Sequence, residues 1–371
     1  GAFFSKQADA AGIFSQLQIA SPQAAQKLEK SGCSAYQAYL NQSDILYIDF
    51  SEMPENCVSY AAYITRILQG LKKDLSDTFP ESNINPDDSV WDILTSLYEK
   101  TGQRFVFVMD EWDAVFHMGF ITDSDKKAYL LFLKSLLKDK IYVQLAYMTG
   151  ILPIAKYSDG SELNMFVEYN MASSERFSQY FGFSNSEVSH LFEIYQNTTD
   201  CCKITRDDLR IWYDGYCTAG GEHLYNPHSI VCALTNNQLR NYWTSSGTYS
   251  PIFSYIKDNV ADIQDDLPLL FAGESIPSDI DEYAATSMHL ETKDEIYSAM
   301  VVYGLLTYES GLVSIPNKEL MDSFAFMMKK EKSLGYLYHL ANISKKMLSA
   351  TLTGKTKEMS EILKFAHDTE S

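Results

Sequence analysis

The sequence predicts an α/β fold built on a mostly parallel sheet, followed by a largely helical region with a small β-hairpin. Three observations carry that prediction. Apolar runs of strand length (ILYIDF, RFVFVMDE and IYVQLAYMTG) alternate with amphipathic helical stretches through residues 1–174. These runs are almost continuously apolar, as strands buried on both faces are. From about residue 175 such runs give way to helical stretches opened by Ser or Thr.

The elements follow in order. ILYIDF, after Asp44, is rich in β-branched and aromatic residues and lies between Ser43 and Ser51, so it reads as a buried strand. Cys57 to Phe79 places Tyr60, Ile64, Ile67, Leu68 and Leu71 at helical spacing. NINPDDSV breaks the chain, and Val90 to Lys100 reads as a second helix closed by Gly102. RFVFVMDE is the next strand, Asp125 to Lys138 the next helix, and IYVQLAYMTG a further strand. Strands and helices alternating at this length imply helices on both faces of the sheet. Beyond Phe166 to Ser173 the texture changes: Ser184 to Gln196, Thr205 to Tyr213, Asn226 to Leu234 and Glu291 to Leu306 read as helices, and GLLTYESGLVSIPNK as a hairpin near residues 304–316. The expected organisation is therefore an α/β domain over 1–174, a helical lid or transmitter over 175–318, and a Lys-rich amphipathic helical linker over 319–371.

A chain of 371 residues implies more than one core. The formal net charge of −19 argues against a broad electrostatic surface for nucleic acid. Six cysteines with no CxxC pair and no zinc-type spacing read as the reduced thiols of a cytoplasmic protein. His223 and His228 lie near Cys217 and Cys232, but these spacings fit no zinc pattern. No run approaches the ~18 apolar residues of a membrane helix, so no membrane association is expected. Gly1-Ala2-Phe3-Phe4, without an initiator Met, reads as the start of a cut chain.

The informative stretch is RFVFVMDEWDAVF, where a buried strand ends in Asp110, Glu111 and Asp113. Open α/β sheets bind ligands beyond the carboxyl ends of their strands. An apolar strand followed by Asp-Glu is what a nucleoside triphosphatase places there, Asp110 organising the water shell of Mg²⁺ and Glu111 polarising the attacking water. Helix capping by the same acids is the plainer alternative. Thr149, ending the next strand, stands where such enzymes sense the γ-phosphate and raises the weight of the nucleotide reading. Against this, no GxxxxGK[ST] phosphate loop occurs anywhere in the chain. WYDGYC and LYNP read as turns packed by aromatics, and Arg176 as a phosphate contact or an ion pair with Glu175.

FVMDEWDAVF, YMTGILPIAKY, SELNMFVEYNMAS, SQYFGFSNSEV, WYDGYC, LYNPHSI, NYWTSSGTYSPI and GLLTYESGLVSIPNKEL together resemble the bacterial AAA-ATPase-like family, collinearly across roughly residues 2 to 320. The resemblance implies a P-loop NTPase-like sheet in which Asp110 and Glu111 are the Walker B pair, Asp113 belongs to the same DExD block, and Thr149 lies on the sensor strand with Lys156 nearby. Thr149, Lys156 and Asp113 would then contact the nucleotide. In the family a Walker A loop of the form RPRRFGKT precedes a segment similar to AFFSKQADAAGIFSQLQIA, so the loop and its strand are expected upstream of Gly1. A PD-(D/E)XK nuclease-like domain follows in many members and would begin near or after residues 340–371. The resemblance thus implies an ATP- and Mg²⁺-dependent ATPase or switch coupled to that effector. It also implies that this stretch alone binds no cofactor and is inactive, and that nucleic acid is met only through the missing domain. The alternative is a non-catalytic module that keeps the fold and binds a protein partner or a second copy through its acidic surface.

Overall fold

The computed structural model describes residues 1–21, 34–85, 87–154, 163–243, 263, 265–280, 292–330, 343 and 346–369. They fall into two compact units, Gly1–Val167 and Glu168–Ser371.

The first unit holds three parallel strands in the order β1 (Asp44–Asp49), β2 (Phe105–Asp110), β3 (Val143–Met148). Between β1 and β2 the chain forms α1 (Tyr60–Thr78) and α2 (Val90–Thr101), and between β2 and β3 it forms α3 (Asp123–Leu137). Each helix starts where a side chain satisfies an orphan N–H: Ser59 accepts from Ala62 N, Ser89 from Asp92 N, and Thr122 forms a capping box with Asp125. Gly102 ends α2 in the left-handed conformation that a side chain would resist.

The two faces of this sheet differ. Phe105, Phe107 and Met109 are buried on one face, with Phe79 edge-on to Phe105 and the ring of Tyr142 against Phe107. The other face carries the rows Ile45–Val106–Leu145 and Tyr47–Val108–Tyr147. There Tyr47, Leu145 and Tyr147 are 55%, 44% and 61% exposed, so among the described residues this face is open rather than helix-covered as the alternation implied. Among those residues β3 is also an edge strand. Its ladder groups on that side are available for a further strand.

The second unit is helical with short β-ribbons. After residues 166–173, which run as turns and irregular structure, come α4 (Asn185–Thr198), α5 (Arg206–Tyr213), the two-residue strands β4 (Tyr216–Cys217) and β5 (His223–Leu224), and α6 (Pro227–Asn236). Then follow α7 (Leu267–Ala272), β6 (Ile276–Pro277), α8 (Lys293–Val302), the hairpin β7 (Thr307–Glu309) and β8 (Leu312–Ser314), α9 (Lys318–Lys330) and α10 (Thr356–Thr369). The predicted hairpin turn is Ser310-Gly311, both at positive φ as a tight hairpin demands. One core gathers Tyr297, Met300, Leu305, Val313 and Phe324, and a second gathers Leu209, Tyr213, Tyr225 and Ile230.

Candidate functional site

The carboxyl ends of the three parallel strands bring Asp49, Asp110, Glu111 and Thr149 together. Asp49 and Asp110 are register partners at the ends of β1 and β2. Thr149, one residue beyond β3, donates its hydroxyl to Asp110 Oδ1, and the Tyr47 hydroxyl donates to Asp110 Oδ2 at 3.1 Å. Asp49 Oδ1 accepts from the backbone N and hydroxyl of Ser51, at 2.8 and 2.6 Å. Asp49 was missed in the sequence, although ILYID carries the same signal as FVMD: an apolar strand ending in an acid.

The loop that carries the acids is fixed by its own backbone. Glu111 adopts φ +50°, a left-handed conformation that costs a non-glycine residue about 1–2 kcal/mol. The turn this makes continues the ladder, with Thr149 N donating to Met109 O at 2.9 Å and Trp112 N to Thr149 O at 3.0 Å. Tyr129, fully buried on α3, donates its hydroxyl to Trp112 O at 2.7 Å. A Cβ at Gly150 would meet Trp112 Cδ1 at 2.4 Å and Asp113 Oδ1 at 2.6 Å, so the close packing of the two loops requires glycine there.

Asp113 is 1% exposed, and its Oδ2 accepts from Ile151 N at 3.0 Å and Leu152 N at 2.7 Å. It thus ties the loop after β3 to the loop after β2. Its Oδ1 has no hydrogen-bond partner among the described groups. Lys156 lies outside the described residues. Arg176 stands in the second unit, its guanidinium 4.8 Å from the centre of the Phe177 ring and 5.9 Å from that of Tyr169.

The electrostatics at the strand ends are those of crowded like charge. Burial, then Asp113, Asp110 and Asp49, push the Glu111 carboxyl above its ordinary range. Such a carboxylate holds a proton more readily than a free glutamate, which suits a general base. The hydrogen bond to Asp110 leads the causes that raise Tyr47. Hard oxygen donors crowded at a half-buried strand end match what Mg²⁺ takes, through water or directly.

Comparison with known proteins gives a match for part of the chain. Residues 1–158 match a family model described as "Predicted AAA-ATPase", so this segment is similar to that family. An "Uncharacterized protein in vnfD 5'region" of Azotobacter chroococcum mcd 1 is 26% identical over 166 residues, covering 42% of this chain and 30% of that relative. The chain therefore spans less than a third of that relative's length. Two solved structures are similar at 11% identity: Cdc6p from Pyrobaculum aerophilum (TM-score 0.27, covering 82% of each chain) and the Aeropyrum pernix ORC1 protein in complex with DNA (TM-score 0.28, 81% of this chain and 82% of that one). Likeness at that level carries no argument. No helix among the described residues is long and apolar enough to cross a membrane.

Proposed function

We propose that the first unit is the nucleotide-binding part of an ATP- and Mg²⁺-dependent ATPase or switch, coupled in the full-length protein to a nuclease-like effector. The observation that carries this reading is the convergence of Asp49, Asp110, Glu111 and Thr149 at the carboxyl ends of three parallel strands. Mg²⁺, when bound, would neutralise charge on the transferring phosphoryl group. Asp110, with Asp49 beside it, would hold the water shell of the ion. Glu111 would orient the attacking water and take its proton on a carboxylate oxygen. Thr149, already bonded to Asp110, would shift its hydroxyl between that carboxylate and the terminal phosphate. Asp113 would act as a positioning residue, since it fixes the loop that follows Thr149.

The acids fit Mg²⁺, but the sequence contains no loop that fits a triphosphate. The free edge of β3 and the open face bearing Tyr47, Leu145 and Tyr147 support the reading that the strand, phosphate loop and following helix of the resembled family complete this sheet. The 371 residues alone are then expected to bind Mg-ATP weakly or not at all.

A second reading, a non-catalytic interaction module, is favoured by one observation: both oxygens of Asp110 already accept hydroxyl hydrogen bonds, from Tyr47 and Thr149. Mg-ATP binding and hydrolysis by the full-length protein separate the two. Expected is turnover by the full-length protein, retained binding with hydrolysis slowed roughly 10²–10⁴-fold in Glu111→Gln, and neither by the 371-residue chain. A full-length protein that neither binds nor hydrolyses ATP leaves the acids structural and puts the interaction module in front.

A further inference from the structure

We propose that Cys217, His223 and Glu309 form a zinc-binding site in the second unit, with solvent at the fourth position. The proposal is independent of the ATPase reading, because it stands on other residues and other elements. Among the described residues, one ligand atom from each of these three side chains lies within 4.8 Å of the others.

The backbone explains why they meet. Cys217 and His223 are directly opposed on the antiparallel ribbon of β4 and β5, so their side chains share a face. The turn between them is tied by Thr218 N to Glu222 O at 2.8 Å and Glu222 N to Thr218 Oγ1 at 3.0 Å, with Gly221 at φ +78°. Cys217 N donates to Thr307 Oγ1 on β7 at 2.8 Å, which brings the ribbon against the hairpin. Glu309 lies two residues along β7 from Thr307 and therefore on the same face. A second restraint is Gly215 at φ +109°, where a Cβ would meet Pro316 O at 2.1 Å. The ribbon and the hairpin are thus held in contact by groups that are not themselves ligands.

The donor set selects the metal. A thiolate, an imidazole and a carboxylate together suit Zn²⁺ and disfavour Mg²⁺ or Ca²⁺, which take oxygen. Zinc–ligand bonds of about 2.0–2.3 Å need these atoms somewhat closer than 4.8 Å. His223 and Glu309 are both exposed, so rotation of their side chains supplies that movement without shifting the backbone. On binding, the Cys217 S–H bond breaks, its proton leaves to solvent, and the sulfur electron pair forms the Zn–S bond. The other pair weighed in the sequence stands apart: His228 and Cys232 both lie on α6 and contact each other, Nε2 to Sγ at 3.7 Å.

The test uses the 371-residue chain stripped with chelator, then titrated with Zn²⁺ by calorimetry and with Co²⁺ by absorption. Expected is one zinc per chain, a cobalt thiolate charge-transfer band, and affinity weakened at least about 10–100-fold by His223→Gln or Glu309→Gln. Cys217→Ser should abolish the band, while Cys232→Ser and the paired Cys201→Ser, Cys202→Ser change should leave band and affinity intact. Circular dichroism reports folding. Should Cys217→Ser fail to fold, the two exposed-residue variants still decide. No stoichiometric binding, a band that survives Cys217→Ser, or full affinity in both His223→Gln and Glu309→Gln overturns the proposal.

Discussion

Each unit of this protein shields a glutamate from water, and the two are treated in opposite ways. Glu319, on α9, is fully buried, yet Trp243 N donates to its Oε1 and Ser229 Oγ to its Oε2, both at 2.8 Å. Glu111, at the end of β2, sits among Asp49, Asp110 and Asp113 in a left-handed backbone conformation. Both carboxyls are raised above the ordinary range, and burial is the first cause for each. The surroundings separate them: donors converge on Glu319, whereas acids converge on Glu111. A buried acid with donors of its own ties helices together, and a half-buried acid among acids is poised for a cation or a proton.

Three stability measurements test that contrast, in order of expected size. Glu319→Ala leaves the donors on α6 and at Trp243 without their acceptor and should cost about 3 kcal/mol by urea unfolding. Asp113→Ala frees the N–H groups of Ile151 and Leu152 and should cost about 2 kcal/mol. Glu111→Gln removes like-charge crowding and should stabilise the chain by about 0.5 kcal/mol. A loss of stability from Glu111→Gln as large as that from Glu319→Ala would dissolve the distinction and make both residues structural.

The same contrast explains what could be read without coordinates. The strand end was legible because its signal is local: apolar period, then acids, then a hydroxyl at the end of the next strand. Asp110, Glu111 and Thr149 followed from that pattern, and Asp49 carries it as well. The inward turn of Asp113 was not legible, because its partners are backbone groups at Ile151 and Leu152, which no pattern within the DEWD stretch announces. Cys217, His223 and Glu309 were illegible for a related reason. Ligand spacing along the chain says little when the third residue comes from another ribbon, some 90 positions on. Likewise the buried Glu319 meets Ser229 and Trp243 only after α6 and α9 pack, so its helix signal gave no hint of its donors.

The remaining expected effect is a slope. A carboxyl whose folded-state value lies above its unfolded one binds its proton more tightly in the folded protein. Its stabilising share is fully present below the unfolded value, near 4.5, and is lost as pH rises through the folded value. The share contributed by these two groups should therefore shrink from about pH 4.5 upward, and solvent screening keeps the share of the partly exposed Glu111 the smaller. Glu111→Gln and Glu319→Gln should each flatten that fall by its own share. Salt divides the two shares. Part of the rise at Glu111 comes from neighbouring carboxylates, and added salt screens them; at Glu319 burial dominates and His228 supplies the charge contribution, which acts to lower it. Repeating the pH series at high ionic strength should thus shrink the share removed by Glu111→Gln and leave the Glu319→Gln share nearly unchanged. An equal salt response at the two positions would mean that Glu111 is governed by burial alone. The acids around it would then lose their claim to be a charge cluster awaiting a cation.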